Sequence, residues 1–391
     1  MKTLLAALVV FGSATAERLL VASYGNQTHL GTIATLELLP STGKGSSREL
    51  KVIHESQDCG SLPTWLDVSL GPNTVICLDE AATDANMTTL SVEPDGSLKK
   101  VASVGALGGA VSLQSYNDKS AVALAHYGPN PAITSYSAHG DSTFESLQNI
   151  TFGEPDQIHQ AVLDPTGKFM IFPSLGADLV RVYSIDASTG LLTEQEPLKS
   201  KTGYGPRHAV FWTGSESRTT YLFVLHELSS RIVSYKVDYP DCGGLSFTQV
   251  DEVSTYGNQP LPDRKLSGAE IVLSPCNNFL VASNRNGTIF SVDNADPKNS
   301  TQIPSDSLVT FKPTADGKLS FVQLAKSGGW FPRHFMLSKD GSMVAVANQL
   351  SHNVVIYSRD VETGLVNDQK MVARAENLGP GDLMFIQWLE G

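Results

Sequence analysis

The chain has 391 residues, a formal net charge of -12, 41% hydrophobic and 17% charged residues. Such a composition excludes a disordered chain. An acidic protein without a basic run is not expected to take nucleic acid as a partner.

The elements begin with a leader. Lys2, the apolar residues 4–11 and the small-x-small triplet Ala14-Thr15-Ala16 predict a signal peptide over residues 1–16. The mature domain then runs over 17–391, and the protein is expected outside the cell, free or attached to the cell wall. No later apolar stretch is long enough to span a bilayer. Five N-x-S/T triplets, at Asn26, Asn86, Asn149, Asn286 and Asn299, are expected glycosylation sites. Cys59, Cys77, Cys242 and Cys276 permit disulfides in three connectivities. Cys276 in a hairpin turn and Cys242 in a loop are the expected pair. No cysteine has the CxxC spacing of a zinc site.

After the strand LLVASY, ending at Tyr24, a hairpin recurs. WLDVSLGPNTVICLDE starts at Trp65 and is the faintest copy. HQAVLDPTGKFMIFP starts at His159, RHAVFWTGSESRTTYLFVLHE at Arg207, EIVLSPCNNFLVASNR at Glu270 and RHFMLSKDGSMVAVANQ at Arg333. Each copy has a polar or aromatic opener, an apolar run, a turn, a second apolar run and a polar exit. DLVRVYSID, RIVSYKVD, GTIFSVD and NVVIYSRD read as third strands, and LSFTQVDEV and LSFVQLA as fourth strands. Helical periodicity is nearly absent. Units centred near residues 22, 70, 118, 165, 215, 275 and 340 predict an all-β, seven-bladed β-propeller. LMFIQW near the C-terminus pairs with early strands to close the ring. The alternative, a two-sheet sandwich, does not account for the repeats.

A hairpin returns to where it began, so openers and exits share one face. That face collects His159, Arg207, Glu227, Arg285 and Arg333. The exits Tyr24, His126, Tyr127 and Asn348 are expected to line the same pocket. The PRH triplets ending at His208 and His334 recur in register, so those two histidines read as structural. Asp67 and Asp164 read as blade-structural.

HQAVLDPTGKF…LGADLVRVYSID, GPRHAVF…LHELSSRIVSY, AEIVLSP…VASNRN and FPRHFMLSKDG…VANQLSHNVVIY resemble the lactonase family of seven-bladed propellers. That family includes cycloisomerase-type 6-phosphogluconolactonases and fungal 3-carboxy-cis,cis-muconate lactonizing enzymes. The resemblance spans roughly residues 18–388. It implies a catalytic set of His159 (IHQAV), Arg207 (GPRH), Glu227 (HELS) and Arg285 (SNRN). The first half departs from the pattern at AHYGPN, where the family has a Ser-Tyr-Gly-type exit. A glycan on Asn286, beside Arg285, would crowd the mouth of such a site.

The expected substrate is a small lactone or carboxylate bearing an acidic group. Guanidinium groups such as Arg207 and Arg285 grip carboxylate or phosphate bidentately, and Arg333 extends the set. His159 or Glu227 would move the proton. The resemblance implies hydrolysis of a sugar lactone, or formation of a muconolactone, with no metal and no cofactor. A second class is a calcium site using Glu80, Glu227, Asn284 and Asn348, which the nearby arginines oppose. A third is a non-catalytic secreted binding module on the same scaffold.

Overall fold

The computed structural model describes residues 17–41, 43, 47–140, 142–214, 218–241 and 243–389. The leader expected over residues 1–16, and Cys242, lie outside them. The described residues form strands and no helix. Seven four-stranded antiparallel sheets stand in a ring, giving the seven-bladed β-propeller. Blades 2 to 7 run over residues 63–105, 110–151, 162–199, 206–254, 267–326 and 332–375. Blade 1 combines Glu17–Ser23, Thr32–Leu38 and Leu50–Ser56 with the last strand, Leu383–Leu389. That last strand pairs antiparallel with Glu17–Ser23 and closes the ring, as the sequence predicts.

The strand composition follows from this geometry. Second strands such as Ala121–His126, Leu280–Arg285 and Met343–Asn348 are buried at every residue, because neighbouring blades cover both faces. They therefore read as nearly continuous apolar runs rather than alternating ones. Outer strands such as Leu98–Gly105 are polar and partly exposed. The core is a series of wedges between blades. Ile171, Val180 and Val182 of blade 4, for example, pack on Phe211, Leu222 and Val224 of blade 5. Each such side chain contributes roughly 1.5–3 kcal/mol on burial.

One expectation is corrected. GTIFSVD is not a third strand: Phe290–Asp293 pairs with Gln302–Ser305 as a separate hairpin, and Ser307–Pro313 is the third strand of blade 6. The inserted hairpin has the same alternation as a blade strand, so pattern alone does not separate them. Cys276 is exposed and free among the described residues, and its expected partner Cys242 lies outside them. The disulfide joins Cys59 to Cys77, with Cα atoms 5.9 Å apart. Both lie in the apolar wedge between blades 1 and 2, where the chain crosses from one to the other.

A recurring bulge positions the site. Pro206 pairs with His226 and His208 with Leu225, which leaves Arg207 as an extra residue. Arg333 is extra between Pro332 and His334 in the same way. Thr64 occupies this place in blade 2, Val111 in blade 3 and Met384 in the closing strand. Bulges re-aim side chains. All five of these residues line the axial channel.

Candidate active site

The channel opens on one face as a cavity of about 200 Å³. Tyr24, Glu80, Tyr127, Glu227, Arg285 and Gln349 line it from the ends of second strands. Five of them follow directly on a strand's last residue, Ser23, Asp79, His126, His226 and Asn348, and Arg285 is itself the last residue of its strand, after Asn284. Those preceding residues are all buried. Arg333 and Met384 enter from bulges, and His159 from the approach to blade 4.

Glu227 holds two guanidiniums. Its Oε2 lies 2.8 Å from Arg207 Nε and 2.9 Å from Arg285 Nη2. Burial pushes its carboxyl up, but Arg285 and Arg207 outweigh this and hold it below the ordinary carboxylate range. It is ionised at neutral pH. Burial, then the like charge of Arg285, lowers Arg207 to about 9, which still leaves it charged. Arg207 also donates to the Ala269 carbonyl. Arg285 donates to Gly268 O at 3.1 Å and lies over the Phe331 ring, 5.1 Å from its centroid. Arg333 differs: it makes no ion pair and no side-chain hydrogen bond to the described residues, and it faces the cavity. Tyr24 donates its hydroxyl proton to Glu80 Oε2.

His159 is buried, and its imidazole is held well below its usual range, first by burial and then by Arg207, His208 and Arg333. It is neutral at physiological pH. Its Nδ1 lies 3.1 Å from His208 Nε2. Nε2 has no protein partner and is not sealed in the interior. Tyr127 meets the His159 ring edge-on at 5.4 Å. Below, the channel narrows through His208, Glu270 and His334.

Two larger cavities carry less chemistry. A groove of about 540 Å³ at the rim contains Arg48 and Arg374, already paired to Glu17 and Glu376. The opposite mouth of the channel, about 480 Å³, is lined by Trp65, Leu113, Val210, Ile271, Met336 and other mostly apolar residues.

A family model described as Lactonase, 7-bladed beta-propeller, matches residues 18–378. The chain belongs to this lactonase family. A probable 6-phosphogluconolactonase of Arthroderma benhamiae is 30% identical over 354 residues, covering 88% of this chain and 83% of that one. A 6-phosphogluconolactonase of Formosa agariphila is 26% identical over 343 residues, covering 86% and 76%. Among solved structures, the periplasmic gluconolactonase of Pseudomonas aeruginosa superposes with a TM-score of 0.76 at 23% identity, covering 96% of this chain and 99% of that one.

In this lactonase-family chain the fold brings His159, Arg207, Glu227, Arg285, Arg333 and Tyr24 around one channel. Two expected lining residues are not there. His126 is fully buried, with Nε2 2.8 Å from Thr134 Oγ1 and Nδ1 3.2 Å from Gly108 O. Asn348 is also fully buried and donates to Ser327 O and Asn353 Oδ1. In each case the next residue, Tyr127 or Gln349, faces the cavity, because the last residue of the second strand turns back into the blade. The oxygen set considered for calcium is not assembled either. Asn284 is fully buried, its Nδ2 donating to Thr255 O and Ser307 Oγ, and does not line the cavity, and Glu227 is bound by two guanidiniums.

Sequence reasoning missed Glu270 and Asp306. Glu270 was legible only as a strand opener. Asp306 is buried and accepts from the backbone N–H groups of Asn286, Thr288 and Phe331. It thereby fixes the turn after Arg285 and the ring beneath that guanidinium. Nothing in its sequence neighbourhood marks it.

Proposed function

We propose that the protein hydrolyses a lactone carrying an anionic group, in the manner of a 6-phosphogluconolactonase, with His159 as base. One observation carries this reading: an unpaired guanidinium, Arg333, shares a cavity with a neutral imidazole whose Nε2 is unengaged. Arg333 binds the phosphate or carboxylate, because charge-assisted bonds to such groups are the strongest available to it. His159 Nε2 takes a proton from water, and the hydroxide oxygen attacks the lactone carbonyl carbon. Arg285, oriented by Glu227, faces the negative charge that gathers on the carbonyl oxygen. As the intermediate collapses, the bond from the carbonyl carbon to the ring oxygen breaks. That oxygen takes the proton from His159, giving the free hydroxy acid. Glu227 stays ionised and positions the arginines rather than moving the proton.

The test is proton release in a pH-stat with 6-phosphogluconolactone, plain gluconolactone and a muconolactone. Turnover of the phosphorylated lactone, lost in His159→Ala, is the expected result. Equal turnover of plain gluconolactone would remove Arg333 as anion anchor, and no turnover of any of the three would overturn the reading.

We also infer that the protein is secreted and glycosylated. Supporting this are the leader-like residues 1–16, a disulfide between Cys59 and Cys77, and exposed sequon asparagines at Asn26, Asn149 and Asn299. N-terminal sequencing of protein from culture medium, starting at Glu17, is the expected result; an intact Met1 would overturn it.

A further inference from the structure

Four side chains from four blades form a continuous buried chain across the channel. His159 Nδ1 is 3.1 Å from His208 Nε2, and His208 Nδ1 is 2.9 Å from Glu270 Oε1. On the far side Glu270 Oε2 is 3.3 Å from His334 Nε2, an ion-pair distance without hydrogen-bond geometry. All four residues are at most 5% exposed. Trp65 meets His208 and His334 edge-on at 6.2 and 6.1 Å, and Phe385 stacks on His334 at 3.7 Å. These rings have little freedom to turn.

The proton positions along this chain follow from its ends. Ile386 N donates to His334 Nδ1 at 3.3 Å, so that nitrogen is bare and His334 carries its proton on Nε2, toward Glu270. Ile271 N donates to Glu270 Oε1 at 2.9 Å, so this oxygen is an acceptor. A carboxylate can only accept, so His208 carries its proton on Nδ1. Its Nε2 is then bare and accepts from His159 Nδ1–H. The one nitrogen left with a free lone pair is His159 Nε2, at the cavity. The opposite arrangement would place a proton on His208 Nε2 and leave Nδ1 as a lone pair against an anionic oxygen.

We infer that Glu270, acting through His208, is a positioning residue that fixes His159 in the Nδ1–H tautomer and so makes Nε2 the base facing the substrate. A carboxylate behind a catalytic imidazole does this in the serine hydrolases; here the orientation passes through a second imidazole. The inference rests on the proposed role of His159, but its central measurement needs no substrate.

That measurement is nitrogen–proton correlation NMR of protein labelled with ¹⁵N-histidine, which distinguishes the two tautomers of His159. In the wild-type chain Nδ1 is expected protonated and Nε2 bare. Glu270→Gln keeps the shape but removes the charge. It is expected to shift His159 to a mixture of tautomers and to lower kcat roughly tenfold to a hundredfold, with KM changed less than about twofold. His208→Phe removes the intermediary and keeps a ring in its place, so it is expected to shift the tautomer and lower kcat in the same way. A proton on His159 Nε2 in the wild type, or an unchanged tautomer in Glu270→Gln, would overturn the inference. If Glu270→Gln does not fold, His208→Phe decides, and an unchanged Nδ1–H tautomer there overturns the inference. Absence of lactone turnover by the wild type would sink the proposed function and leave the tautomer result to stand or fall separately.

Discussion

Arg207 and Arg333 occupy the same bulge position in two blades, yet of the two only Arg207 is ion-paired to the described residues. The difference assigns them different work. Arg207→Ala removes a buried partner of Glu227 and should destabilise the fold by about 3–5 kcal/mol. Arg333→Ala removes no ion pair and no side-chain hydrogen bond to the described residues. It should leave the urea midpoint nearly unchanged and raise KM for an anionic lactone on the order of ten- to a hundredfold, matching a lost charge-assisted bond of about 1.5–3 kcal/mol. Urea titration and initial-rate kinetics on both variants check this. A large loss of stability in Arg333→Ala would show that it is structural.

His159→Gln should keep the fold and lower kcat roughly 10²–10⁴-fold. Because the imidazole is already neutral well below the usual histidine range, the wild-type rate should show no acid limb near pH 6.5. The groups facing it are Tyr127, His208, Arg207 and Arg333, of which the arginines and burial both favour the neutral form. A kcat profile across pH 5–8 tests this, and a fall centred near 6.5 would count against His159 as base.

Stability should fall in mild acid. Burial lowers His126, His226 and His334 to about 4, from an unfolded value near 6.5. Between these values the unfolded chain binds more protons than the folded one. Stability is therefore complete above pH 6.5, declines as pH drops to about 4, and stops declining on this account below that. Each group can contribute up to about 3 kcal/mol. Glu270, held down at about 2 although burial alone would raise it, adds a further loss only below its ordinary value. Urea midpoints at pH 7.5 and 5 should differ clearly, and His126→Gln should narrow the gap.

Breaking the Cys59–Cys77 bond opens a short loop, with a sequence separation of 18. Cys59→Ala with Cys77→Ala should cost about 3 kcal/mol of stability. Cys276 should react with a thiol reagent in the native state, since it is exposed. Urea titration checks the first point and peptide mapping after alkylation without reduction the second, where an unmodified Cys276 would contradict its freedom.

Glycan occupancy should follow the side chains. Asn149 and Asn299 are exposed on their outer strand and loop, whereas Asn286 is half-buried and donates through Nδ2 to Lys265 O at 2.7 Å. Glycosylation at Asn149 and Asn299 but not at Asn286 is expected in glycopeptide mass spectra of secreted protein. A glycan on Asn286 would mean that the turn opens.

The sequence by itself determined the repeat and therefore the ring. Apolar second strands such as AVALAH and VAVAN, punctuated turns and a C-terminal strand matching the first are consequences of two-sided burial, which leaves its mark in composition. It also placed His159, Arg207, Glu227, Arg285 and Arg333 on one face, because a hairpin's ends coincide whatever surrounds them. Only the tertiary structure decided which neighbour on that face looks inward. His126 and Asn348 yield to Tyr127 and Gln349, since a one-residue difference in register reverses a side chain and local sequence does not mark it. Only the assembled ring brought Glu270 between His208 and His334, because those residues come from separate blades and meet solely at the axis. The disulfide and the inserted hairpin of blade 6 were likewise decided by packing between blades, a long-range property that pattern along the chain does not encode.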